Sequence, residues 1–155
     1  MQNVQLVNLL ISKGYKISCA ESCTGGMLAS SIVDVADASK VLDMSFVTYA
    51  SDAKIDLLDV KSETIDNYGV VSEEVAKEMA VGVKNKAKSN IGLSVTGLAG
   101  PSGGTLDKPV GTVCFGIAIE NEIYSYTQQF GNIGRTNVRV KSVEFIIDKL
   151  IEILK

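Results

Sequence analysis

Apolar residues recur at helical spacing at the start of the chain. Val4, Val7, Leu10 and Ile11, with Leu6 widening the stripe, predict a helix over residues 3–13 that Gly14 stops after Lys13. Residues 16–21 (Lys-Ile-Ser-Cys-Ala-Glu) predict a short strand, Ser22-Cys23-Thr24-Gly25-Gly26 a turn, and Met27 to Val35 a buried helix. Strand, glycine turn and helix in succession are an α/β signature. Phe46-Val47-Thr48-Tyr49 is a second strand, followed by short helices over 52–58 and 62–68 around a loop at 59–61. Ser72 caps a longer helix with Glu73 and Glu74 in its first turn and Lys84, Lys86 and Lys88 at its end, charges that match the helix dipole. Its buried stripe is Val75, Ala76, Met79, Ala80 and Val83. Ile91 to Thr96 is a third strand and runs into a glycine-rich stretch, Gly97 to Thr105. Val110 to Ile119 and Glu122 to Phe130 flank Glu120-Asn121 as a hairpin. A last helix over 135–154 puts Val143, Ile146, Ile147, Leu150, Ile151 and Leu154 on one face.

Composition narrows the function. The 155 residues predict one domain, 1–155, without linker or repeat. A net charge of −3 with no basic block argues against nucleic-acid binding. The chain contains no histidine, which excludes Ser-His-Asp and Cys-His catalysis and every histidine metal site. Proton transfer must then fall to Lys, Tyr, Asp, Glu or Cys. Cys19, Cys23 and Cys114 form neither an even disulfide framework nor a four-ligand zinc site. No signal peptide or membrane span is visible, so a cytoplasmic protein is expected, and with no metal-ligand set in the sequence no metal or cofactor is expected either.

Ser22 lies where the first strand turns into a helix. A hydroxyl there projects past the sheet edge, and backbone N–H groups of Cys23 to Gly26 can face the same space and hold an oxyanion. Thr24, Gly25 and Gly26 belong to that turn; its plain alternative is a helix cap. A serine nucleophile needs a base, and a buried neutral lysine can serve. Lys54 follows the second strand, so parallel pairing would bring it toward Ser22, with Tyr49 at the same edge. The alternative for Lys54 is a solvated surface lysine. The loop holding Gly97, Gly100, Gly103 and Gly104 ends a strand at that edge and suits an anion, though it matches no Walker or dinucleotide fingerprint. Arg135 and Arg139, spaced i, i+4 at the start of the last helix, share a face and suit phosphate. Cys23 is the rival nucleophile.

These segments, together with Gly69-Val70-Val71-Ser72-Glu73, Lys108-Pro109-Val110-Gly111-Thr112-Val113 and the Phe130-to-Arg139 ending, resemble the CinA C-terminal domain family over nearly the whole chain. The resemblance implies a three-layer α/β/α sandwich with a mixed, mostly parallel sheet of about five strands. It also implies a stand-alone amidase acting on nicotinamide mononucleotide, a small-molecule nucleotide substrate. Ser22 would be the nucleophile, Lys54 its base and Tyr49 a neighbouring hydroxyl. The glycine loop and Arg135 or Arg139 would hold the phosphoribosyl part. A non-catalytic nucleotide-binding module or a competence-associated interaction domain is the alternative, and a homo-oligomer is left open.

Overall fold

A computed structural model describes residues 1–155 throughout. The chain runs α1 (Gln2–Lys13), β1 (Ile17–Glu21), α2 (Met27–Val33), β2 (Phe46–Val47), α3 (Ser51–Leu58) and α4 (Ser62–Tyr68). It continues through α5 (Glu73–Ala87), β3 (Ile91–Gly97), β4 (Thr112–Ile119), β5 (Glu122–Gln129) and α6 (Arg135–Leu154). A single 3-10 turn, Ala38–Lys40, joins α2 to β2 and has no periodic signal to announce it.

The five strands form one sheet in the order β2-β1-β3-β4-β5. β1 pairs in parallel with β2 and β3, and β4 is antiparallel to both β3 and β5, so β4 alone runs against the rest. The sheet is therefore mixed, as the resemblance implied. Its topology gathers the ends of β1, β2, β3 and β5 and the start of β4 at one edge, where Glu21 pairs with Val47 and Val95, Gly97 with Val113, and Thr112 with Gln129.

Helices cover both faces. α1, α2 and α6 pack together on one of them, over an apolar core that includes Leu6, Leu10, Ile17, Leu28, Leu93, Phe115, Ile117, Ile146 and Leu150. α5, flanked by α3 and α4, covers the other, with Ala20, Leu58, Val60, Val75, Met79 and Val83 in a smaller cluster. The stripe read on α5 is buried in full.

The α5 face of the sheet is lined by small residues, and the helix sits close. A Cβ at Gly116 would lie 2.4 Å from the Ala76 carbonyl oxygen, and the Ser94 hydroxyl donates to that same oxygen at 2.6 Å. α3 is pressed on α5 in the same way: a Cβ at Gly82 would lie 2.0 Å from the Leu58 carbonyl oxygen.

The second strand is shorter than its sequence predicts. Thr48 still donates its N–H to the Glu21 carbonyl at 2.8 Å, but Thr48 and Tyr49 then leave the ladder and turn their carbonyls toward Lys54. That departure builds the site.

Candidate active site

Ser22 is the first residue beyond β1, and its N–H donates to the Val95 carbonyl at 3.0 Å. Lys54, in the first half of α3, reaches back under the end of β2. Its Nζ lies 3.1 Å from Ser22 Oγ, 2.6 Å from the Thr48 carbonyl oxygen and 3.2 Å from that of Tyr49. Lys54 is 0% exposed, and none of these partners is a carboxylate. A buried ammonium without a counter-ion is disfavoured. Burial accordingly lowers the Lys54 pKa from its ordinary 10.5 to about 8, opposed weakly by the neighbouring Cys23. Neutral Lys54 has two N–H bonds and one lone pair. The two carbonyls take the N–H bonds, and the lone pair is left for the hydroxyl proton of Ser22.

Glu21 is a residue of the site that the sequence motifs do not single out. Its side chain is fully buried, and it accepts N–H bonds from Gly26 at 3.1 Å, Leu28 at 2.9 Å and Ala29 at 3.0 Å. It thus caps α2, whose own cap residue, Gly26, has no side chain to offer. A signal for it does exist: an acidic residue closes an apolar strand just before a glycine-capped helix.

Hydrogen bonds within the turn remove donors that the sequence leaves free. The Gly25 N–H is taken by the Ser22 carbonyl at 3.1 Å and the Gly26 N–H by Glu21. The N–H groups of Cys23 and Thr24 donate to no backbone carbonyl, and of these two residues only Cys23 lines the cleft. Of the Cys23 to Gly26 N–H groups that the sequence leaves open, turn closure and helix capping therefore consume those of Gly25 and Gly26.

Arg139 acts on the same turn. Its Nε donates to the Cys23 carbonyl and its Nη2 to the Thr24 carbonyl, both at 3.0 Å. The Cys23 carbonyl and the Thr24 N–H belong to one planar trans peptide, so fixing the carbonyl aims the N–H the other way. Arg135 donates from Nη1 to the Gly100 carbonyl at 2.7 Å and from Nη2 to Tyr49 Oη at 3.0 Å. Tyr49 itself is 62% exposed. The two arginines share a face, as their spacing predicts, and both hold loops at the sheet edge.

A cleft of about 550 Å³ opens in front of Ser22. Ser22, Cys23, Tyr49, Ala50 and Ser51 form one wall, Gly69, Val70 and Val71 a second, and Thr96, Gly97, Leu98, Gly103, Thr105 and Lys108 a third. Of the four loop glycines, Gly97 and Gly103 line it. Gly100 holds Arg135, and Gly104 packs on Val110. Thr24, Gly25, Gly26, Arg135 and Arg139 are not among the lining residues. In the sequence, Val70, Val71 and Lys108 stand out only as parts of longer motifs. Cys23 lines the cleft, yet it also belongs to the apolar core, and burial pushes the thiol pKa up to about 11. No three His, Cys, Asp or Glu side chains are grouped as metal ligands, and no helix is long and apolar enough to cross a membrane.

A mixed α/β sheet thus presents, at one edge, a serine hydroxyl to a fully buried lysine amine. The chain belongs to the CinA family: the model of the CinA C-terminal domain matches residues 2–154. A nicotinamide-nucleotide amidohydrolase PncC of Enterobacter agglomerans is 44% identical over 92% of this chain and 87% of its own length. A CinA-like protein of Kosmotoga olearia is 46% identical over 92% of this chain and 34% of its own length. The chain spans 29% of the length of two Clostridium kluyveri relatives that carry competence-damage names. Among solved structures, the competence/damage inducible protein CihA of Agrobacterium tumefaciens superposes with a TM-score of 0.93, at 37% identity, over 100% of this chain and 97% of that one. An Escherichia coli protein of the CinA superfamily gives 0.94 at 34% identity, over 98% of this chain and 88% of that one.

Proposed function

We propose that the protein is a cytoplasmic amidase that hydrolyses the carboxamide of nicotinamide mononucleotide to nicotinate mononucleotide and ammonia, a salvage reaction of pyridine nucleotides. The observation that carries the proposal is the 3.1 Å approach of Lys54 Nζ to Ser22 Oγ, with two backbone carbonyls holding the amine. The Enterobacter agglomerans relative supplies the substrate class by its name.

Neutral Lys54 takes the Ser22 hydroxyl proton as Oγ attacks the carboxamide carbon. The carbonyl oxygen gains negative charge and is met by the backbone N–H of Cys23, the turn residue after Ser22 that lines the cleft. Lys54, now protonated, gives its proton to the departing nitrogen, and ammonia leaves. Water then attacks the ester at Ser22, Lys54 takes up the water proton, and the acid is released as Ser22 Oγ is reprotonated. Ammonia release from the mononucleotide, measured on purified protein, tests the reading. Binding of the nucleotide without ammonia release would instead assign a binding module.

Arg139 enters this scheme as a positioning residue. Arg139→Ala is expected to lower kcat by about 10–100-fold, somewhat less than direct removal of an oxyanion donor, because the turn that carries the Cys23 N–H survives but loses its anchor. KM should change little, since Arg139 is not in the lining of the cleft. Steady-state kinetics with Arg139→Lys as a partial rescue would check this; a rise in KM at constant kcat would place Arg139 on the substrate.

A further inference from the structure

Lys108 carries the one charged side chain among the residues that line the Ser22 cleft. We propose that Lys108 contacts the phosphate of the substrate, so that this lysine of the β3–β4 loop, and not Arg135 or Arg139, selects a nucleotide over its nucleoside. The inference rests on the amidase reading of the same cleft and adds to it the group that recognises the far end of the substrate.

The lysine is built into place. The Thr105 N–H donates to the Lys108 carbonyl at 2.9 Å, and the Lys108 N–H donates back to Thr105 Oγ1 at 3.0 Å, closing a turn on itself. From that turn Nζ crosses to the end of α4 and donates to the Tyr68 carbonyl at 2.7 Å. An ammonium has three N–H bonds, so two remain for a ligand. The Thr105 hydroxyl, which accepts from Lys108, keeps its own proton to donate, and Thr105 lines the cleft as well.

The competing cations are engaged elsewhere. Arg139 is bound to the turn carbonyls, and Arg135 to Gly100 and Tyr49. Local charge also decides on which side of Lys108 an anion would lie. Lys108 and Val71 border a second groove, of about 630 Å³, whose other lining includes Glu73, Glu74 and Asp107. Those carboxylates repel a phosphate dianion, against a single further lysine, Lys77. The Ser22 cleft has no carboxylate in its lining, so an anion at Lys108 is favoured there.

The test separates recognition from turnover by working on the Ser22→Ala protein. Titration calorimetry gives Kd for nicotinamide mononucleotide and for nicotinamide riboside, and the ratio of the two is the phosphate preference. Adding Lys108→Met should shrink that preference by about 10- to 150-fold, the value of one charge-assisted hydrogen bond. Lys108→Gln, which keeps a donor for Tyr68 without the charge, should shrink it similarly, and Lys108→Arg should restore most of it. Thermal unfolding confirms that each variant is folded. An intact preference in Lys108→Met and Lys108→Gln overturns the proposal while leaving the amidase reading standing. Abolition of the preference by Arg135→Ala instead does the same. If neither compound binds and wild-type protein releases no ammonia, both readings fall together.

Discussion

Ser22→Ala should fold as the parent does and lose turnover by about 10³–10⁶-fold, as removal of a catalytic nucleophile does elsewhere. Folding should survive because the Ser22 backbone, not its hydroxyl, ties the turn to β3 through Val95. The nearest hydrogen-bond partner of the hydroxyl is Lys54 Nζ, at 3.1 Å. Ammonia release would report the loss, and nucleotide binding should persist. Mass spectrometry of quenched wild-type reactions should find an acyl adduct on the peptide containing Ser22, absent from the variant. Cys23→Ala should keep activity within about tenfold, because the thiol is buried in the core and held protonated well above neutral pH. The opposite pattern, an active Ser22→Ala and a dead Cys23→Ala, would transfer the nucleophile to the thiol.

Lys54 carries the second large effect. With a pKa near 8, only the fraction of protein bearing the neutral amine can accept the serine proton. The rate should rise with pH through about 8 and level off above it. Lys54→Arg keeps a cation that cannot deprotonate, and Lys54→Met keeps the apolar stem with no base; each should cost at least about 10³-fold in kcat. Neither variant should retain the inflection near 8. Substantial activity in Lys54→Arg, with a flat pH profile in wild type, would reduce the residue to a fixed charge. Stability follows the same titration. The unfolded chain keeps this proton up to about 10.5 whereas the folded one releases it near 8. Between those values the unfolded state binds more protons, so the Lys54 contribution to stability rises with pH and is lost as pH falls from about 10.5 to about 8.

Much of this arrangement is legible in the sequence because it depends on where strands end. Periodicity places β1 and β3 and the helix that carries Lys54, and parallel pairing of β1 with its neighbours then brings Ser22 and Lys54 to one edge. What is not legible depends on who takes each hydrogen bond. The glycines after Ser22 look like free donors until Glu21 and the Ser22 carbonyl are seen to occupy them. Arg135 and Arg139 look like anion ligands because spacing gives their shared face but not the carbonyls opposite it. Lys108 is marked in the sequence only as the start of a longer motif, with nothing local to assign it a role. Its approach to the cleft is set by Tyr68, forty residues earlier in the chain, through a contact between α4 and the glycine loop.

The absence of a side chain at Gly82 reaches further than packing. Leu58, which rests against that gap, ends α3, and Lys54 lies one turn before it on the same helix. A methyl group on α5 at this point would have to displace α3 by about 1 Å or more to reach ordinary van der Waals separation. Lys54, the proposed base, would move with its helix, and a misplacement of that size is worth about 10²-fold in rate. In the proposed mechanism turnover is thus hostage to a position that touches neither substrate nor catalytic group. Lys86, one turn further along α5, holds only a solvent-exposed ion pair with Asp59 and is free to vary. Genetic drift would therefore pass unnoticed at one turn of this helix and be felt as lost chemistry at the turn before it.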